Sequence, residues 1–403
     1  MGRIGADPIG ADPTGADPTG ADTRTEIRAL TGLRGVAACW VMLYHSRVCW
    51  HCALPVRSLI HHGYLAVDLF FVLSGFVLAM THGAEFAAAG PTLQAVQWRF
   101  LRRRFARTYP LFALVTLASF ALAGAGAFPR QPAIPLAVLP RDLLLLQAWP
   151  IGAVIPRIAH AATKAAPIVG PGWSISTEWG AYLLFPFLCA LTLRARPVTA
   201  AAAGALAAAV LIALSLRPDA AVHEAGFRQG PLDVFVANTF WPGLRCLAGF
   251  CLGLLAFRCR IPGRVDRPGR SGPPGQAGPR LALAATLGLL VALSVPGSDL
   301  ADLALFVLLV AALATDRGAI AALLGWGPIY WLGTVSYSIY LVHAPILQLV
   351  RGQIPPGVHG LAALALDVAV WGGVLAVSAL TYAGIERPAR RWLNRPARRP
   401  VVA

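Results

Sequence analysis

Ten long apolar runs recur from one end of this 403-residue chain to the other, and they decide its solvent. They cover approximately residues 30–49, 64–82, 109–127, 177–193, 198–216, 237–257, 281–296, 302–315, 329–350 and 361–384. A helix needs about 20 mostly apolar residues to cross a bilayer, and a soluble protein with one anchor would carry one such run. Charged residues make up 13% of the chain, where a soluble domain carries about a quarter. The chain cannot dress a water-facing surface of its own size, and lipid must be its main solvent. The expectation is an all-α polytopic membrane protein with about ten transmembrane helices.

The net charge of +16 is almost wholly arginine, Lys164 being the only lysine. Scarce lysine beside abundant Ala, Arg, Gly and Pro suggests a GC-rich bacterial genome, and so a bacterial cytoplasmic (inner) membrane. In a soluble protein this charge would point to nucleic acid. Here the arginines cluster in the short connections between apolar runs, which is how cytoplasmic loops are marked. One cluster is Arg99, Arg102, Arg103, Arg104 and Arg107, a second is Arg194 and Arg196, a third fills a Pro/Gly-rich linker at about 260–280, and the last ends the chain. All four fall on one side only if the run 136–149, broken by Pro140, Arg141 and Asp142, does not cross. The topology then has ten crossings with both termini cytoplasmic. Residues 1–26, built on repeats of GADPT, offer nothing to pack and read as a disordered tail. The transmembrane unit spans 27–391, and 392–403 is a basic cytoplasmic tail.

An ionisable group costs about 2.5–3.5 kcal/mol or more at the centre of a membrane helix, so each one in an apolar run asks for a reason. In the first run Arg34 and His45 are eleven residues apart. At 100° per residue they share a helix face, roughly 16 Å apart along the axis. Asp68 stands near the outer end of the second run, placed to pair with His45 or an arginine, or to serve as a first-turn carboxylate. Glu178 follows Pro171-Gly172 in Trp-Ser-Ile-Ser-Thr-Glu-Trp, where Ser174 or Ser176 would cap a new helix. His343 falls in the outer half of a late run. His45, Asp68, Glu178 and His343 are thus expected at similar depth, and a histidine with a carboxylate to orient it is what activation of a hydroxyl needs. Cys49, His51 and Cys52 form a short C-W-H-C, a weak signal for a disulfide or metal.

These patterns resemble the membrane-bound acyltransferase family 3, over about Ile27 to Arg391. The shared elements are LTGLRG with Arg34 ahead of His45, GYLAVDLFFVLSGF, FLRRRFARTYPLF, WSISTEW, SYSIYLVH and IERPAR, in this order. The resemblance implies transfer of an acyl group, by family default acetyl, from cytoplasmic acyl-CoA to a hydroxyl of a carbohydrate or lipid-linked acceptor, with no permanently bound cofactor and no metal. It implies essential roles for Arg34 and His45, and donor-phosphate contacts for Arg104 and Arg107 with Arg102 and Arg103 beside them. His45 would be general base or acyl carrier, Arg34 would hold the donor, and Glu178 or Asp68 would orient the imidazole. Thr31 stands where the family often has Asp, and Thr177 where many members have Val. The fused hydrolase-like domain of some members does not follow the C-terminus. The rival reading of the same ionisable layer is a proton-coupled secondary transporter. Internal repeats and broken helices at matching positions would favour it, and neither is visible.

Overall fold

A computed structural model describes residues 26–46, 54–128, 134–150, 167–217, 230–234, 239–260, 276–351, 353, 358 and 360–394. The GADPT tail, the C-W-H-C motif and most of the 260–280 linker lie outside them. Among the described residues there are helices and turns and no strand, as expected of backbone that must satisfy its own polar groups in lipid. Among the described residues, each of the ten apolar runs is mainly helical. The main helices are α1 (Arg28–His45), α2 (Leu54–His61), α3 (Ala66–Ala88) and α4 (Leu93–Gly124), followed by the short α5 (Val138–Leu143). Then come α6 (Gly172–Leu183), α7 (Phe185–Cys189), α8 (Pro197–Ser215), α9 (Trp241–Arg258), α10 (Ala277–Ala292) and α11 (Asp299–Leu313). The chain ends in α12 (Ala319–Leu324), α13 (Gly327–Thr334), α14 (Ser336–Arg351), α15 (Gly360–Thr381) and α16 (Arg387–Leu393).

Four stretches are long and apolar enough to cross a membrane: Val56–Ala88, Gly90–Gly124, Pro197–Ser215 and Gly360–Leu393. Helix length alone does not carry the expected count of ten. With 16 and 15 residues, α10 and α11 rise about 24 and 22 Å, short of a hydrocarbon core of about 30 Å. The run 136–149 forms only the six-residue α5 and turns, a rise of about 9 Å. It is anchored by polar contacts. Asp142 accepts from Arg141 Nε at 2.7 Å and from the Ile168 amide at 2.7 Å, and Tyr109 Oη of α4 donates to the Leu143 carbonyl at 3.1 Å. Leu145 takes a left-handed φ of 58°, and its carbonyl accepts the Ser176 hydroxyl of α6.

Helices α1, α3, α9 and α14 form the interior, while α15 lies outside: 6% of the apolar window in Gly360–Leu393 is buried, against 78% of that in Val56–Ala88. Glycine sets the close approaches. A Cβ on Gly75 of α3 would overlap the Phe250 carbonyl of α9, and one on Gly253 would overlap the Val72 carbonyl. Small residues let membrane helices meet backbone to backbone in this way. Gly32 and Gly35 do the same for α1 against Leu324 and Gly333, which fixes the rotation of α1 and so the direction of Arg34 and His45.

The same α3–α9 contact encloses an ion pair. Arg245 Nε and Nη2 donate to the two Asp68 carboxylate oxygens at 2.9 and 2.5 Å, and both residues are at most 1% exposed. The remaining guanidinium hydrogens reach the carbonyls of Val234 at 3.1 Å and Tyr64 at 3.3 Å. Asp68→Ala strands the arginine in the core. The variant is expected to lose roughly 3–5 kcal/mol of stability, read as a lower melting temperature of the detergent-solubilised protein.

Candidate active site

The last residue of α1 and the middle of α14 meet as two imidazoles. His45 Nδ1 lies 3.2 Å from His343 Nε2, with ring centroids 5.1 Å apart. Backbone carbonyls one turn back set the tautomers. His343 Nδ1 is 3.1 Å from the Ile339 carbonyl, and a carbonyl only accepts, so this nitrogen carries the hydrogen and Nε2 is the acceptor in the neutral ring. His45 Nδ1 is 3.0 Å from the Val41 carbonyl and therefore also carries its hydrogen, shared with His343. In neutral His45 the lone pair then lies on Nε2. When His45 takes a proton there, the charge is stabilised by the Val41 carbonyl and the His343 ring, which is wholly buried. The pair therefore has the parts of a general base and its orienting partner.

Below the histidines, toward the start of α1, a cavity of about 100 Å³ is enclosed by α1, α3, α4, α6 and α14. Its polar lining includes Arg34, Arg104, Arg107, Glu178, Ser74 and Ser174, and its apolar lining includes Val67, Phe70, Phe71, Leu78 and Ile175. Glu178 accepts the Ser74 hydroxyl at 2.5 Å. Three guanidiniums face one carboxylate in a partly buried cavity, which makes it a seat for an anion. Arg104 Nε is buried without a hydrogen-bond partner, a donor left over for whatever enters. Tyr340 closes the end nearest the histidines. Its hydroxyl is 2.6 Å from Ser174 Oγ and donates to the Pro171 carbonyl at 3.2 Å, and its ring stands 5.6 Å from Phe70 and 6.0 Å from His343.

The expected layer of four is thus divided. His45 and His343 come together. Asp68 takes the arginine of its two expected partners, and that arginine is Arg245, so it does not orient the imidazole. Glu178 is not beside His45 either. Its helix begins at Gly172 with Pro171 as the preceding residue and no side-chain cap, so Glu178 sits in the second turn, about 9 Å along the axis, among the arginines. Ser174 does not cap that helix. It donates to the Pro171 carbonyl and meets Tyr340 instead. The basic group is divided too: Arg34, Arg104 and Arg107 line the cavity, whereas Arg102 and Arg103 are exposed. Arg245, Ser74 and Tyr340 escaped the sequence reading. Arg245 was detectable as an ionisable residue inside the run 237–257. Tyr337, Tyr340 and His343 were detectable by their three-residue spacing, which sets them along one helix face.

Comparison with known proteins follows the same residues. A family model described as an acyltransferase domain matches residues 27–384. The acyltransferase MdmB of Streptomyces mycarofaciens is 30% identical over 93% of this chain and 94% of its own length. Protein 2 in the picA locus of Rhizobium radiobacter is 44% identical over 21% of this chain and 39% of its own. No solved structure matches the chain significantly. The cavity's charge is directly testable. Pyrophosphate at a hundred times its Kd should stabilise the solubilised protein by about 2.7 kcal/mol. Thermal shift should show that gain lost in the double variant Arg104→Ala, Arg107→Ala.

Proposed function

The chain belongs to this acyltransferase family, and from that premise we propose that it moves an acyl group from acyl-CoA to a hydroxyl of a carbohydrate, glycolipid or related acceptor. The observation that supports this reading best is a base of defined tautomer, His45, paired with His343 on the far side of Tyr340 from a cationic cavity lined by Arg34, Arg104 and Arg107. Coenzyme A is a polyanion of the cytoplasm, and guanidiniums grip its phosphates. The exposed Arg102 and Arg103 would draw the donor in, the cavity arginines would hold it, and the thioester end would extend past Phe70 and Tyr340 to the histidines. Acetyl is the acyl group we take as the default.

In the proposed step His45 Nε2 takes the proton of the acceptor hydroxyl as its oxygen bonds to the thioester carbonyl carbon. Collapse of the tetrahedral adduct breaks the C–S bond, and the imidazolium returns the proton to the departing thiolate. His343 keeps the Nδ1–H of His45 pointed away from the acceptor and shares the transient positive charge. We place the chain in a bacterial inner membrane, crossing about ten times with both termini cytoplasmic. A topology reporter fused after Trp149 should then give a non-cytoplasmic signal.

Membranes carrying the protein should transfer label from acyl-CoA to the acceptor. His45→Ala is expected to lower that rate by on the order of 10²–10⁴, the usual contribution of a general base, and Arg34→Ala to abolish donor use. His343→Phe should lower kcat while the KM for the donor stays in place. Full labelling by His45→Ala would sink the mechanism.

A further inference from the structure

One aromatic ring stands between the cationic cavity and the paired histidines. Along α14 the cavity lining runs through Ser336 and Tyr337 to Tyr340, and His343 follows about 4.5 Å further along the axis. The Tyr340 and His343 rings are 6.0 Å apart. Tyr340 is 6% exposed, and it is held in two places. Its ring meets the Phe70 ring of α3 edge-on, with centroids 5.6 Å apart and planes at 75°, an arrangement that aromatic pairs favour. Its hydroxyl lies 2.6 Å from Ser174 Oγ and donates to the Pro171 carbonyl at 3.2 Å. Ser174 reaches the same carbonyl at 3.1 Å. The anchor is itself fixed, because Gln147 Nε2 of the 136–149 run donates to the Gly172 carbonyl at 2.9 Å, and Gln147 and Ser174 are both buried. The start of α6 thus holds the tip of the Tyr340 ring, and α3 holds its side.

We propose that Tyr340 is a specificity-determining residue that selects the shape of the acyl group, admitting straight chains and rejecting those branched beside the carbonyl. This rests on the acyl-CoA reading above. With the donor's phosphates held at the arginines, its acyl end leads. Every acyl group must then pass Phe70 and Tyr340 before its carbonyl reaches His45. The arm that follows is unbranched over the amide and methylenes next to sulfur. A slot that fits this arm also fits a straight acyl chain. A methyl branch has to displace a ring fixed at both tip and side, and packed walls yield little to added volume. The neighbouring lining residues Val67, Phe71 and Ile175 are apolar, so a methylene chain is buried there without stranding a polar group.

The test compares kcat/KM for labelled acetyl-CoA, n-butyryl-CoA and isobutyryl-CoA in membranes carrying the protein, with an extract of the cells that carry it as the acceptor pool. The two butyryl donors contain the same atoms and differ only in branching. The parent should favour n-butyryl over isobutyryl by about tenfold or more, the low end of what one misplaced methyl group costs in a fitted site. Tyr340→Ala should bring that ratio to within about twofold of unity, and Phe70→Ala, which removes the opposing wall, should lower it as well. Tyr340→Phe keeps the ring but loses its anchor and should give an intermediate ratio. Size-exclusion profile in detergent identifies a Tyr340→Ala protein that has failed to fold, and the other two variants then carry the comparison. Equal use of both butyryl donors by the parent, or a ratio unchanged in the variants, would overturn the proposal. A parent that labels nothing from acetyl-CoA refutes the acyl-CoA reading itself, whereas labelling without discrimination refutes only the role of Tyr340.

Discussion

The Asp68–Arg245 pair is the constraint on which the interior depends. Two charges taken wholly out of water are tolerable only if every lone pair and hydrogen is answered. Here the answers come from three separate parts of the chain: α3 supplies Asp68 and the Tyr64 segment before it, α9 supplies Arg245, and the Leu232–Val234 turn supplies a carbonyl. The pair lies about two turns along α3 and α9 from the backbone contacts permitted by Gly75 and Gly253, so charge and close packing lock the same two helices in one register. Tyr64 extends the lock outward, its hydroxyl donating to Asp299 of α11 at 2.8 Å. Tyr44 then stacks edge-on to Tyr64 and to His45, which links this fixed core to the outer end of α1.

Against that frame the reactive groups fall at two levels joined by α1. Arg34 belongs to the lower level with Arg104, Arg107 and Glu178, and His45 to the upper with His343. Eleven residues of unbroken helix make the separation roughly 16 Å, so one rigid element measures the distance between where a donor's charge would be held and where its acyl group would react. The rotation of α1 is set by Gly32 and Gly35, through their close approach to Leu324 and Gly333.

The sequence showed the helices well because apolar runs of membrane length have few other outcomes. It showed the run 136–149 as too interrupted for a long helix because Pro140, Arg141 and Asp142 break it, and the run forms only the six-residue α5 and turns. It also singled out His45, His343, Asp68, Glu178, Arg34, Arg104 and Arg107 as residues in need of partners. Which partners they take was not legible, since periodicity gives a residue's face and approximate depth but not its neighbour on another helix. With α6 starting at Gly172, Glu178 stands in its second turn, where it accepts the Ser74 hydroxyl and lines the cavity. Arg245 was missed although the same cost of burying a charge applied to it. The role expected of a carboxylate beside His45 falls instead to a second imidazole and a backbone carbonyl, a substitution that only the packing of α14 on α1 reveals.

Three guanidiniums around one cavity have a consequence beyond the substrate proposed for them. Fixed positive charge in a low-dielectric channel raises the barrier to protons and metal cations, and Tyr340 with its hydroxyl tied to Ser174 and Pro171 narrows the same route. On the proposed reading, a protein that admits a polyanion from one side would also be insulated against short-circuiting the ion gradient across its membrane.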